Sequence, residues 1–211
     1  MAKVNSAAKM NGWRRSQSTS APLCDLAARP GYTLSVVTLL LLVAFSCLAV
    51  AERATQSQVE AAYLFNFGKF VTWPADRLTS SNQFEICILG KDPFGGVIDA
   101  TVNGESIGGK KIQVRRLAGM REAASCSILF VSSSEEKHLN VILAAAQNLS
   151  LLTVSNIEHF AERGGIIGLV TEEDKIRFEV NRDVARKSRL VLSSELMKVA
   201  IRVIDNNIPA Q

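Results

Sequence analysis

Four short runs, FEICILG (84–90), KKIQVRRL (110–117), SILFVSS (127–133) and SLLTVS (150–155), recur along the chain with helical or glycine-rich stretches between them. SILFVSS is continuous and apolar, as a strand covered on both faces is. KKIQVRRL alternates, as a strand does. Strands alternating with helices call for a mostly parallel sheet with helices on both faces, joined by right-handed crossovers. After Gly164 the rhythm changes. GIIGLVTEEDKIRFEVN is two strand-like runs around the turn-like Glu173-Asp174, which predicts a C-terminal hairpin and therefore a mixed sheet. The expected architecture is a single α/β domain of the Rossmann or flavodoxin-like kind.

The connecting stretches carry their own signals. From about Ser57 the spacing is helical, with Val59, Ala62, Tyr63, Asn66 and Phe70 on one face and Leu64, Phe67 and Val71 on an adjoining one, until Pro74. Asp92-Pro93 reads as the N-cap and first-turn proline of a short helix, and VNGESIGG as a glycine-rich connection. A helix from about Ser134 to Gln147 puts Leu139, Ile142, Leu143 and Ala146 inward. NIEHFAER reads as a short helix started by Asn156 and stopped by Gly164 and Gly165. A helical segment near Val184 and a last helix capped by Ser193 or Ser194 complete the chain.

The first 51 residues read differently. Arg14, Arg15 and Arg29 precede an apolar run from Leu34 to Val50 that ends in LAVA, where Ala49 and Ala51 have small-x-small spacing. This is the pattern of a secretory signal peptide with a long n-region, cleaved between Ala51 and Glu52. An uncleaved membrane anchor is the other reading, since the run approaches the roughly 20 residues that span a bilayer. Cys47, preceded by Ala44, Phe45 and Ser46, makes a poor lipobox. The leader holds five basic residues and one acidic one, so of 24 basic and 20 acidic side chains the remainder keeps 19 of each. The basic balance belongs to the leader, and residues 52–211 lack the cationic footprint that nucleic-acid binding needs.

Residues 52–211 suffice for one domain burying about two-thirds of its unfolded surface. Two cysteines remain there, Cys87 and Cys126. An even count in an oxidising compartment favours a bridge; two buried free thiols acting as small hydrophobes is the other reading. If the first and third strands are neighbours, the two come within bridging reach. Closing 39 residues would then stabilise by about 4 kcal/mol on the chain-entropy model.

Catalytic signatures fail on context. GESIG (104–108) matches a nucleophile elbow in letters, but it follows a helix and precedes a strand, the reverse of what an elbow needs. His138 and His159 have no obvious acidic orienter. GKDPFGG lacks the Lys-Ser/Thr pair of a phosphate loop. Two histidines twenty-one residues apart do not make a zinc site, and Arg182, Arg186, Lys187 and Arg189 read as a solvated face. The chain is expected to be no enzyme and to need no cofactor or metal.

What stands out is AAYLFNFGKFVTWP (61–74), which holds Tyr63, Phe65, Phe67, Phe70 and Trp73, five of the chain's thirteen aromatic residues. A helix with one buried side needs one apolar stripe; these aromatics exceed it. Either the helix is wedged deep between the sheet and the last helix, with Phe70 in the core, or part of this face meets a partner or another subunit.

Together, AAYLFNFGKFVTWP, GKDPFGG, CSILFVS, LLTVSN, FAERGGIIGLV, IRFEVN and SSELMKVA resemble, in this order, the YfiR-like periplasmic proteins. The resemblance implies a small α/β domain, a homodimer, and repression of an inner-membrane diguanylate cyclase through contact with its periplasmic sensor domain. It implies too that a peptidoglycan-linked outer-membrane lipoprotein sequesters the repressor, so that cyclic-di-GMP rises and biofilm forms. By position, Cys87 and Cys126 match a disulfide pair of the family; a second pair is absent, since no cysteine lies near Ala161 or Gly168. Other members serve sensor kinases and outer-membrane receptors. The alternative function is therefore a periplasmic small-molecule sensor or carrier, with a crevice at the strand ends around Gly90 to Gly96 and Ser132 to Ser134.

Overall fold

The computed structural model describes residues 54–76 and 82–205, all within one compact unit, Arg53–Gln211. The expected leader and the Ala51–Glu52 cleavage site lie outside the described residues. Among the described residues no helix is long and apolar enough to cross a membrane.

The first helix, α1 (Gln56–Phe70), starts at a capping box: Gln58 N donates to Thr55 Oγ1 at 3.3 Å and Thr55 N donates to Gln58 Oε1 at 2.7 Å. It ends before Pro74, because β1 (Val71–Thr72) is drawn into an antiparallel pair with β9 (Val191–Leu192). That two-stranded ribbon, beside the main sheet, was not foreseen. Two β-branched residues leave a helix readily when a partner strand is offered.

The main sheet has eight strands in the order β10-β8-β7-β6-β5-β2-β4-β3. Its centre is β4 (Lys110–Leu117), β2 (Gln83–Leu89), β5 (Ile128–Val131) and β6 (Leu152–Ser155), all mutually parallel. In chain order this is second, first, third, fourth, the flavodoxin-like order. β7 (Ile167–Glu172) joins parallel to β6 and turns back as β8 (Lys175–Asn181), the expected hairpin. The sheet is thus mixed and mostly parallel, as expected. Two edge strands escaped the sequence reading. β3 (Ser106–Ile107) turns through Gly108 and Gly109, at φ 57° and 77°, to pair with β4, so VNGESIGG is half of a hairpin. β10 (Arg202–Ile204) returns parallel to β8 at the other edge.

Helices cover both faces. On one, α1 and α2 (Gly96–Val102) pack Leu64, Phe67, Ile98 and Val102 against Phe84, Ile86, Ile88 and Phe130. On the other, α3 (Leu139–Ala146) packs Leu139, Ile142, Leu143 and Ala146, the four residues expected inward, against Cys87, Leu89, Leu129 and Val131. The first part of that predicted helix is a 3-10 turn, Ser133–His138. After β8 come α4 (Arg182–Lys187) and α5 (Ser194–Val199), the latter capped by Ser193, whose Oγ accepts from Leu196 N at 3.1 Å.

Two predicted helices are corrected. Asp92 does not cap α2; its Oδ1 accepts from Phe94 N at 2.7 Å and Gly95 N at 3.2 Å, and the helix begins only at Gly96. A short acidic side chain bonds the nearest free amides, and here they belong to a turn. NIEHFAER is a chain of turns. Ser155 takes the capping role assigned to Asn156, accepting from Ile157 N at 3.0 Å while donating to Val131 O at 2.6 Å, and His159 sits at φ 57°, which no helix tolerates.

Candidate functional site

Packing divides the five aromatics of the first helix and its exit. Phe67 and Trp73 are core residues, 1% and 5% exposed. Phe67 stands edge-on to Phe178 at 5.0 Å, and Trp73 stands edge-on to Phe84 at 5.1 Å while its Nε1 donates to Ser127 O at 3.2 Å. These two are withdrawn from the expected contact surface, because their rings are consumed inside the chain. Tyr63 and Phe65 are half-buried. Tyr63 stacks on Phe67 and donates its hydroxyl to Ile176 O at 3.1 Å; Phe65 lies beneath Lys69 Nζ, 3.8 Å from the ring centre. Phe70 is 40% exposed.

The helix is therefore turned relative to the sequence reading. Its buried side is Glu60, Ala61, Leu64, Phe67 and Gly68, while Val59, Tyr63, Asn66 and Phe70 face outward or along the edge. Gly68 settles the rotation: a Cβ there would run into Ile107 and crowd Phe84, so the bare backbone can lie closest to the sheet.

The outward face meets α5 across a mainly apolar groove of about 400 Å³, lined by Tyr63, Asn66, Phe67, Phe70, Phe178, Glu195, Leu196 and Val199. Val199, 68% exposed, stands across the groove from Phe70 and continues the apolar surface. A groove of this kind receives an apolar side chain from outside.

The cysteines are joined. Cys87 and Cys126 form a disulfide with Cα atoms 5.9 Å apart, both fully buried. The bridge is reachable because β2 and β5 are neighbours. Glu85 lies beside them, and Glu85, Cys87 and Cys126 are the one metal-type cluster among the described residues. The sulfurs are spent on each other and Glu85 Oε2 accepts from Arg115 Nη1 at 2.8 Å and Ser125 Oγ at 2.7 Å, so the donor set does not suit a metal.

Other candidates resolve into internal pairing. His138 Nδ1 lies 3.3 Å from Glu135 and His159 Nδ1 lies 3.2 Å from Glu162, acidic neighbours that the sequence reading did not see; both rings are largely exposed. Ser106 of GESIG sits on the edge hairpin, not on an elbow. Arg182 and Arg186 engage Asp205, Arg186 also engages Asp183, and Arg189 engages Asp76. Asp205 and Asp183 raise the Arg186 guanidinium above its ordinary value, Asp205 first. Arg116 spans Asp92 at 2.9 Å and Asp99 at 2.6 Å, and its hydrogen bond holds the Asp99 carboxyl below the ordinary value. At the strand ends proposed as a crevice, Ser134 Oγ accepts from Lys91 N at 2.9 Å and Ser134 and Glu135 crowd Gly90, while the space beside Gly95 and Gly96 is open.

A second cavity, missed in the sequence, lies between the start of α1, the turn after β6 and the β7–β8 hairpin. Glu60 and Asn156 meet there. The signal was available in part, since Glu60 occupies the same helical phase as Leu64 and Phe67, where a carboxylate is out of place.

Two solved structures give the scale of the likeness to known folds. The ABC domain in complex with L-Trp from Streptococcus pneumoniae matches at 10% identity and TM-score 0.45, covering 67% of this chain and 59% of that one. A conserved domain protein from Vibrio cholerae matches at 9% identity and TM-score 0.49, covering 71% of this chain and 60% of that one. The chain thus spans about three-fifths of the length of either. No curated protein matches it. The YfiR/HmsC-like family model matches residues 57–201, from the first turn of α1 to just past α5. The chain belongs to the YfiR/HmsC-like family, a family of periplasmic regulators.

Proposed function

We propose that this protein is a periplasmic regulatory binding protein that represses an inner-membrane diguanylate cyclase by contact with the cyclase's periplasmic sensor domain, lowering cyclic-di-GMP and biofilm formation. The observation that carries the reading is family membership across residues 57–201. The role is regulatory rather than catalytic. The groove between α1 and α5, with Phe70 and Val199 on its rim, is the contact surface best suited to it, since exposed aromatic anchors beside an apolar pocket concentrate binding energy. A repressor of this kind shifts its partner only by its difference in affinity between the partner's two states. The repressing species is a homodimer, and release comes from a competing peptidoglycan-associated outer-membrane lipoprotein.

Two measurements test this. Deleting the gene raises cyclic-di-GMP, and deleting the cyclase as well abolishes the rise; an unchanged level in the single deletion rejects the cyclase as partner. In vitro, Phe70→Ala and Val199→Ser each weaken binding to the sensor domain about tenfold or more while leaving the melting temperature within a few degrees, because both side chains are largely outside the core. Full affinity in both variants would place the contact elsewhere.

A further inference from the structure

Residues 194–205, which carry α5 and β10, are fastened to the fold by different means from the central strands. Leu196 is the one buried residue among them. Val199, Ile201 and Val203 are 68%, 36% and 37% exposed. No side chain of β10 is buried, whereas β5 and β6 are buried at every position, so apolar burial does not fix β10 at the sheet edge. A parallel ladder to β8, a bond from Ile201 N to Phe178 O at 3.0 Å, and charge do.

The charges sit at both ends of the strand. At its start, Arg202 Nη2 reaches Glu179 of β8 at 2.9 Å and Glu162 in the turn after β6. At its end, the Asp205 carboxylate, 2% exposed, is shared between Arg182 at 2.8 Å and Arg186 at 2.7 Å, both on α4. An exposed pair such as Arg202 with Glu162 is weak and is screened by salt. A carboxylate as covered as Asp205 stays in place only while its cations do. Upstream the chain is pinned instead: Leu192 is buried in the ribbon with β1, and Ser193 N donates to Phe70 O at 2.9 Å. A segment pinned at one end, clasped by ion pairs at the other and poor in buried side chains between them opens at less cost than global unfolding.

The opening reaches the groove because α5 is one of its walls, with Glu195, Leu196 and Val199 facing α1. α5 has six residues, too few to persist as a helix by itself. Only Ala200 and Ile201 separate it from β10. When β10 lets go, α5 goes with it and the groove loses that wall.

We propose that α5 and β10 form a hinged flap, latched by the ion pairs of Arg202 and Asp205, whose release opens the groove between α1 and α5 while the sheet behind it stays folded. The latch is a property of this chain alone; only its consequence for a membrane partner rests on the role proposed above for the groove.

Hydrogen exchange of the purified chain, read by mass spectrometry, tests the latch without any partner. Raising sodium chloride from about 50 mM to about 1 M speeds exchange across residues 194–205 about fivefold or more and leaves β2 and β5 unchanged. Asp205→Asn keeps the shape and removes the charge, and at low salt it speeds exchange at Ile201 and in β10 about tenfold or more. Arg202→Gln also speeds exchange and removes most of the salt effect. Lys198→Gln, exposed on α5, leaves exchange as it was. Should Asp205→Asn fail to fold, the salt series on the unmodified protein decides. Exchange across residues 194–205 that is indifferent to salt, that rises only in step with β2 and β5, or that is as slow in both latch variants as in the parent would overturn the proposal. So would faster exchange confined to β10 with α5 unmoved, since the groove would then keep its wall.

Discussion

Gly165 shows how much one missing side chain decides. A Cβ there would overlap the ring of Phe160, which is 1% exposed and anchors the turn after β6 in the second core. The close approach also lets Gly165 N donate to Phe160 O at 2.9 Å. We therefore expect Gly165→Ala to destabilise by about 1–3 kcal/mol, measured by chemical denaturation, although alanine ordinarily orders a chain better than glycine. A neutral or stabilising result would show that Phe160 has room to move. The sequence marked Gly164 and Gly165 as a stop signal but carried no hint of the ring behind it. Glu60 teaches the converse: its helical phase was visible, while the partner that gives it meaning, Asn156, lies 96 residues away.

At the scale of the element, the hairpin of β7 and β8 was legible because alternation and a turn-like dipeptide are local signals. Glu173 and Asp174 nevertheless adopt φ 49° and 59°, a left-handed pair that non-glycine residues occupy at some cost. Replacing them together, Glu173→Asn with Asp174→Gly, should stabilise the protein by about 1 kcal/mol, read as a shift in denaturation midpoint with unchanged slope. A loss of stability would mean that the acidic turn makes contacts worth more than its strain. Elements whose boundaries depend on distant chain were misread. Asp92 and Asn156 both have the chemistry of helix caps, yet each is committed elsewhere: Asp92 to its own turn and Arg116, Asn156 to Glu60. β3 and β10 were missed because edge strands of two and three residues carry too few side chains to show a period.

For the whole molecule, the disulfide ties strand order to stability. Cys87 lies in β2 and Cys126 just before β5, so the bridge forms only if these strands are neighbours. Replacing both by alanine should cost about 4 kcal/mol, or roughly 8–16 °C in melting temperature for a domain of this size. The bridge itself is checked by intact mass, expected to be about two hydrogens lower than that of the reduced form. A double variant as stable as the parent would mean that the unfolded chain is already restrained, or that the bridge strains the fold.

The four central strands, the hairpin and the inward face of α3 were determined by the sequence alone, because periods of two and of three to four residues are written in neighbouring side chains. The face α1 buries, the separation of Phe67 and Trp73 from Phe70, and the meeting of Glu60 with Asn156 were decided by the tertiary structure. An aromatic-rich helix with two apolar faces satisfies local rules in either orientation. Only the sheet, α2 and the bare backbone at Gly68 make one of them denser than the other.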